Sequence, residues 1–156
     1  MKIRLIAVGG RPPEWVSTGF QDYARRLPRE MSLELIEVPS AARKNLSARR
    51  AREFEAERLL AQVGARDLLV ALDERGRTWS TVELSERLDD WRMQGRDVAF
   101  LIGGADGLDD ACRVRADQVL ALSAMTLPHA LVRVVLAEQI YRAWTILSGH
   151  PYHRGD

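Results

Sequence analysis

The stretch that decides the fold is DVAFLIGGADGL, residues 97–108. It contains five consecutive apolar residues at 98–102, a run typical of a strand buried on both faces of a parallel sheet. Gly103, Gly104 and Gly107 follow, and glycine lets a backbone turn sharply or approach a ligand closely. The stretch predicts either a tight strand-to-helix connection or a ligand loop, although it matches neither G-x-G-x-x-G nor a GK[ST] phosphate loop.

The same alternation of strand and helix patterns extends along the whole chain. No repeat, low-complexity tract or long linker interrupts it. This predicts one α/β domain over residues 1–156, with a mainly parallel sheet covered by helices on both faces. Gly64 is expected to cap one helix, and Ser80 with Glu83 to form the capping box of the next. The predicted strands are 2–8, 31–38, 67–72, 97–102 and 118–122, and the predicted helices are 14–27, 47–63, 80–94, 109–117 and 130–147.

Three loops of this arrangement are expected to carry function, because ligands of open parallel sheets bind at the carboxyl ends of the strands. They are a polar turn at 73–79, the glycine turn at 103–108, and the loop at 123–129. The sequence LSAMTLPH at 122–129 offers backbone groups, two hydroxyls, a methionine and an imidazole. That set of groups suits a small, partly apolar ligand whose edge carries hydrogen-bonding groups like those of adenine. The alternative is a proline-containing loop in which His129 caps the next helix.

The composition excludes several classes of protein. With 23 basic and 22 acidic residues the net charge is +1, so the chain is neither a polycation nor an acidic tail. The single Cys112 excludes a disulfide framework, and the three histidines lack metal-ligand spacing, so no metal site is expected. No apolar run approaches the roughly 20 residues of a membrane span. We therefore expect a cytoplasmic globular protein. Cys112 and the four tryptophans, including Trp15, are expected to pack in the interior.

The helix predicted at 131–147 is unusually apolar, with 12 apolar or aromatic residues out of 17. Such a helix is too apolar to face water, so it lies in the core or in a subunit interface, and we expect a homodimer. Arg133 stands alone on its apolar side and needs a partner if it is buried. That partner is a carboxylate of the protein, a ligand carboxylate or an RNA phosphate. The tail GHPYHR at 149–154 is either a frayed end or a group that stacks on bases and holds phosphate.

Taken together, LIGGADGL, LSAMTLPH, RVVLAEQIYRAWTI and the ending PYHR carry a resemblance that no single motif does. They resemble the SPOUT superfamily of S-adenosylmethionine-dependent RNA methyltransferases. Within it they are most similar to small bacterial enzymes that methylate N3 of a pseudouridine in large-subunit (23S) ribosomal RNA. The resemblance covers nearly the whole chain and includes Gly9, the pattern at 14–27 and I-E-V-P at 36–39.

The resemblance implies features that periodicity does not. It implies a deep trefoil knot in the C-terminal part, an exception to the usual absence of knots, and a homodimer that packs the knots together. It also implies that the knot loops hold S-adenosylmethionine. The residues implied for cofactor binding are Leu72, Gly103, Gly104, Leu122, Ser123, Ala124, Met125, Thr126 and Leu127.

The chemistry that the resemblance implies begins with the proton on pseudouridine N3, which must leave before nitrogen attacks the methyl group. His129 and His153 are candidate bases, since their ordinary pKa suits neutral pH. Arg133 or Arg154 could stabilise charge on the uracil oxygens, and Tyr152 could stack on the flipped base. We expect the tail of one subunit to complete the site of the other.

The partner expected from these features is the assembled ribosome. The net charge near zero predicts weak affinity for naked RNA, so shape and protein contacts must add to binding. The arginines at 25, 26 and 29 and those within 43–58 form either a docking face or an ordinary solvated surface.

Without the resemblance, three classes of function remain open. A methyltransferase accounts for the glycine turn, the second loop, the apolar helix and the tail. An oxidoreductase that binds nicotinamide or flavin would carry a glycine-rich fingerprint after the first strand, and this chain has none there. A noncatalytic RNA-binding module gives the glycine turn no role. Binding of S-adenosylmethionine, and not of NAD, separates the first class from the others.

Overall fold

The computed structural model describes residues 1–41 and 46–154. Five strands and five α-helices alternate along these residues, with short 3₁₀ turns at Arg29–Met31 and Pro151–Arg154. The strands are β1 (Lys2–Val8), β2 (Ser32–Val38), β3 (Leu68–Thr78), β4 (Val98–Ile102) and β5 (Gln118–Ala121). The helices are α1 (Glu14–Ala24), α2 (Ala48–Ala61), α3 (Thr81–Met93), α4 (Asp110–Arg115) and α5 (His129–Ser148).

The strands form one sheet in the order β2-β1-β4-β3-β5, and each neighbouring pair is parallel. The predicted α/β class is confirmed, and the pairing between the described strands is parallel throughout rather than mainly so. Parallel pairing places the carboxyl ends of β3, β4 and β5 at the same edge of the sheet. The loops that follow these strands therefore meet there.

Helices cover both faces of the sheet, as the sequence predicts. Side chains of α1, α3 and α5, such as Phe20, Leu88 and Ile140, pack with one face. Side chains of α2 and α4, such as Leu59 and Cys112, pack with the other. The β4 strand is buried along its whole length, which explains its uninterrupted apolar sequence.

Two local predictions are wrong. The turn predicted at 73–79 lies mostly within β3, whose pairing with β5 shifts register between Leu72 and Arg77, so that the polar residues form a bulge. Gly76 allows this close approach, because a Cβ there would lie 2.6 Å from the carbonyl oxygen of Val119. Gly64 does not cap α2, because the C-cap residue is Gln62, which has ordinary right-handed backbone geometry.

The remaining element predictions are confirmed to within three residues at each end. The capping box of α3 is present, with Ser80 Oγ accepting from the Glu83 amide and Glu83 accepting from the Ser80 amide. Arg43, part of the predicted docking face, and residues 155–156 of the tail lie outside the described residues. Among the helices of the described ranges, none is long and apolar enough to cross a membrane.

Candidate functional site at the carboxyl edge of the sheet

A cavity of about 940 Å³ lies at the carboxyl edge, beyond the ends of β3, β4 and β5. Its size is in the range of sites for small molecules and cofactors. Seven of the nine residues predicted for cofactor binding line it, whereas Gly104 and Ala124 do not. The lining residues from the prediction are Leu72, Gly103, Leu122, Ser123, Met125, Thr126 and Leu127.

The glycine turn forms one wall of the cavity. Gly107 has a left-handed φ of 80° and donates its amide to the Gly104 carbonyl over 3.0 Å, which closes the turn. Gly103 lies so close to this turn that a Cβ would be 2.6 Å from the Gly107 carbonyl carbon. Gly104 instead faces the protein interior, where a Cβ would lie 3.0 Å from a methyl carbon of Val8. The path of the backbone therefore requires glycine at Gly103 and Gly107, whereas at Gly104 a side chain would press on Val8.

The loop at 122–128 forms the opposite wall. Ser123 Oγ accepts from the Met125 amide over 2.9 Å, which tightens the loop locally. Met125 keeps 78% of its surface exposed, so this apolar side chain stands at the mouth of the cavity without packing. Thr126 Oγ1 lies 3.5 Å from a carboxylate oxygen of Glu74 across the cavity. The loop thus presents backbone groups and an apolar side chain to the cavity.

Charged residues surround the opening, and the sequence analysis missed them as site residues. Asp73 accepts hydrogen bonds from Arg75 and, over 2.8 Å, from Arg113. Partial burial raises the pKa of Asp73, but the hydrogen bonds and charge of Arg75 outweigh this and lower it below 3.8 overall. The signal that could have revealed Asp73 is its place directly after an apolar strand at the ligand-binding edge. The other charged lining residues are Arg49, Arg52, Glu74, Asp106, Asp109 and Asp110.

His129 is the first residue of α5, and its side chain lines the cavity, with part of the ring open to solvent and part against the protein. The predicted capping role is absent, since Pro128 occupies the N-cap position without a side-chain hydrogen bond. Partial burial, with a further contribution from the charge of Arg133, lowers the pKa of His129 below 6.5, and Glu37 opposes this. The lowered pKa favours the neutral imidazole, which is the form that can accept a proton within the cavity.

Arg133 is buried, with 3% of its surface exposed, and its partner is a carboxylate of the protein. Its Nε and Nη2 donate to the two carboxylate oxygens of Glu37 over 2.7 and 3.0 Å. Nη2 also donates to the Val8 carbonyl, and Nη1 donates to the His129 carbonyl. Of the partners that the sequence left open, the structure supplies the internal one. A direct role of Arg133 toward a substrate stays a prediction.

The tail lies at the far end of α5 and packs against it. Tyr152 meets the Tyr141 ring edge-on with centroids 4.6 Å apart, and the Arg142 guanidinium lies 4.9 Å from the Tyr152 ring. Burial, with the charge of Glu138, raises the pKa of Tyr152 to about 12. Tyr141 is twelve residues along α5 from His129, and α5 rises 1.5 Å per residue, so the Tyr152 ring lies about 18 Å along the helix axis from His129. Within one subunit the structure does not bring Tyr152, His153 and Arg154 to the cavity.

Other predictions about single residues have mixed outcomes. Cys112 is fully buried, and burial raises its pKa to about 11, so it is a packed thiol as predicted. Trp91 lies in the core, and Trp79 and Trp144 pack against it. The prediction that Trp15 packs in the structure is wrong, because 55% of its surface is exposed at the start of α1. Within the described ranges, no three His, Cys, Asp or Glu residues are grouped to hold a metal ion.

Comparisons with known proteins agree with this geometry. The family model described as "Predicted SPOUT methyltransferase" matches residues 1–153. A protein of Hahella chejuensis named ribosomal RNA large subunit methyltransferase H is 56% identical over 155 residues, or 99% of both chains. A protein of Thioalkalivibrio sulfidiphilus with the same name is 57% identical over the same share. A probable methylase family protein from Haemophilus influenzae shares the fold alone, at 14% identity and a TM-score of 0.57, covering 96% of this chain and 69% of that one.

We expect His129 to titrate with a midpoint below 6.5, because partial burial and the charge of Arg133 disfavour the imidazolium. The measurement is an NMR titration of the histidine ring protons, with His129→Gln identifying the signal by its disappearance. A midpoint at or above 6.5 would contradict the electrostatic description of the cavity.

Proposed function

This chain belongs to the SPOUT methyltransferase family, and we propose that it transfers the methyl group of S-adenosylmethionine to N3 of a pseudouridine in large-subunit (23S) ribosomal RNA. The observation that carries this proposal is the cavity between the glycine turn and the loop at 122–128, with His129 on its wall. The names of the relatives from Hahella and Thioalkalivibrio support the ribosomal substrate.

The residues of the cavity fit S-adenosylmethionine. Its adenine needs backbone donors and acceptors beside apolar surface, which the loop at 122–128 provides through residues such as Leu122 and Leu127. Its sulfonium and amino groups are positive, and five carboxylates line the same cavity beside four arginines. Residue 103 must be glycine, because a Cβ there would collide with the Gly107 backbone, and the cavity wall at this point is therefore bare backbone. The glycine turn and the loop at 122–128 would therefore hold the cofactor.

The mechanism requires two tasks of the protein side chains. The bound cofactor supplies a methyl group on a positively charged sulfur that a nitrogen lone pair can attack. The neutral form of His129, which its lowered pKa favours, accepts the N3 proton of the pseudouridine at a ring nitrogen within the cavity. The walls would hold base and cofactor close together in the orientation for attack, which removes much of the entropic barrier.

The separation of the tail from the cavity supports a homodimer with a site shared between subunits. In one chain, about 18 Å along α5 divides His129 from Tyr141, the residue on which Tyr152 packs. If the tail acts on the substrate, it must come from a second copy whose α5 runs in the opposite direction. His153 or Arg154 of that copy would then assist in deprotonation or stabilise charge on the base, and Tyr152 would stack on it.

Arginines on α2 support contact with RNA near the cavity. Arg49 and Arg52 line its rim, and the first turn of α2 carries no acidic residue. Positive charges are unfavourable at a helix N-terminus. A bound anion, such as an RNA phosphate, would therefore stabilise the arginines at the start of α2. Arg25 and Arg26 of the predicted docking face pair with Asp22 over 2.6 and 2.8 Å, and Arg49 pairs with Glu53 over 3.2 Å. The substrate would be the assembled ribosome, which places the enzyme in the cytoplasm.

The path of the chain supports a knot in the C-terminal part. The chain reaches the sheet edge at β5 and then returns as α5 to pack on α1, α3 and β4, near the middle of the domain. We propose that this return passes through the loop formed by the preceding segments, as in the trefoil knot that the resemblance implies. Tracing the chain in an electron-density map tests this proposal, and a return outside the loop would contradict it.

The direct test is transfer of isotopically labelled methyl groups from S-adenosylmethionine. The acceptors are assembled ribosomes that contain the pseudouridine without its methyl group, separated subunits, and naked ribosomal RNA. We expect label on one pseudouridine of assembled ribosomes. Label on no acceptor, with S-adenosylhomocysteine still bound, would refute the substrate; a failure to bind it would refute the methyltransferase site.

Matched variants locate the RNA contact in the same assay. Arg49→Ala combined with Arg52→Ala should raise KM for the ribosome several-fold more than KM for S-adenosylmethionine, because two phosphate contacts are lost. Arg66→Ala is the control, since Arg66 is exposed at the amino edge of β3, away from the cavity. Equal effects of the two variants would contradict docking through α2.

Mixed dimers test whether the site is shared. One subunit carries Tyr152→Ala and Arg154→Ala, and the other carries Gly103→Val, whose side chain would collide with the Gly107 backbone and distort the glycine turn. If the tail serves the other subunit, one intact site remains and we expect about half of the wild-type activity, while both homodimeric variants stay inactive. If the tail serves its own subunit, every site in the mixed dimer is damaged and activity is lost.

A further inference from the structure

The buried ion pair between Arg133 and Glu37 joins three elements at the carboxyl edge of the sheet. Glu37 lies near the end of β2, and Arg133 lies in the second turn of α5, 96 positions away in the chain. The guanidinium also holds the Val8 carbonyl at the end of β1, over 3.0 Å, and the His129 carbonyl at the start of α5. Four of its five N–H groups are used within the protein.

Gly9 makes room for this pair. A Cβ at Gly9 would lie 3.1 Å from both Arg133 Nη2 and a carboxylate oxygen of Glu37. The Gly9 amide donates to the Val38 carbonyl over 2.9 Å, which keeps the ends of β1 and β2 together beneath the pair. The adjacent Gly10 has no such neighbour, since nothing lies within 4 Å of its Cβ position. The crowding at Gly9 is therefore specific to the ion pair.

We propose that Glu37 is a positioning residue that acts through Arg133 on the cofactor loop at 122–128 and on His129. This inference rests on the proposed function of the cavity and names a residue that the sequence analysis did not. The loop at 122–128 is held at one end by β5, through the sheet pairing of Ala121. Its other end is the start of α5, where the pair attaches the His129 carbonyl to the sheet. Glu37 thereby fixes the second end of the loop that lines the cavity.

A role in stability alone does not account for this arrangement. Burying two charges costs desolvation energy, and a buried ion pair is often no more stabilising than apolar residues of the same volume. An ion pair does fix direction, because the planar guanidinium and the carboxylate meet through two parallel hydrogen bonds. Here that direction sets where α5 begins. The charges also act on His129, since Arg133 lowers its pKa and Glu37 raises it.

The test compares Glu37→Gln with Glu34→Gln, a control on the same strand whose side chain is exposed. We measure the affinity for S-adenosylhomocysteine by calorimetry, kcat and KM for S-adenosylmethionine, and the thermal midpoint of unfolding. Glu37→Gln should weaken S-adenosylhomocysteine binding and raise KM about tenfold in protein that is still folded, because a misplaced loop loses contacts. Glu37→Asp should recover part of the loss, and Glu34→Gln should change nothing.

Gly9→Ala provides a second probe that leaves both charges in place, should Glu37→Gln fail to fold. It displaces the pair and should weaken binding several-fold, whereas Gly10→Ala should bind as the wild type does. A lower thermal midpoint with unchanged affinity for both Glu37→Gln and Gly9→Ala would overturn the inference and leave a structural role. Failure of the proposed function is a separate result, since wild-type protein would then neither bind S-adenosylhomocysteine nor transfer a methyl group.

Discussion

Parallel pairing places the carboxyl ends of all five strands at one edge of the sheet, and the site depends on that placement. The glycine turn leaves β4, the bulge interrupts β3, and the loop at 122–128 leaves β5. These three segments have irregular backbone, whereas the strands to which they are attached are regular and mostly buried. The sheet thus holds three short loops around one cavity.

The second constraint is the burial of a charged side chain at that edge. Arg133 could not be buried without a carboxylate, and Glu37 supplies it from a strand on the opposite side of β1 from β4. The pair links the start of α5 to β1 and β2, so the helix that carries His129 is oriented by the sheet as well as by its apolar packing. Electrostatics and loop position are therefore coupled through one guanidinium.

Much of the fold and of the cavity could be predicted from the sequence, for identifiable reasons. The apolar run of β4 and its glycines indicate a buried strand and a close backbone approach, and both are local properties. The partner of Arg133 could not be found in this way, because Glu37 is 96 residues away and only the strand order brings it near. The bulge of β3 was missed because polar residues at 73–76 give the same pattern as a turn. Gly104 was assigned to the cavity with its neighbours, yet it faces Val8, since residues in an irregular turn do not alternate predictably.

Tyr152 packs on Tyr141, about 18 Å along α5 from His129, so one chain does not bring the two halves of the predicted catalytic machinery together, and we propose that a dimer does. A crystal structure of the protein with S-adenosylhomocysteine tests this most directly. We expect the ligand between the glycine turn and the loop at 122–128, with Tyr152 and Arg154 of the partner subunit beside it. A ligand bound outside this cavity, or a cavity that no second copy approaches, would contradict the central claim.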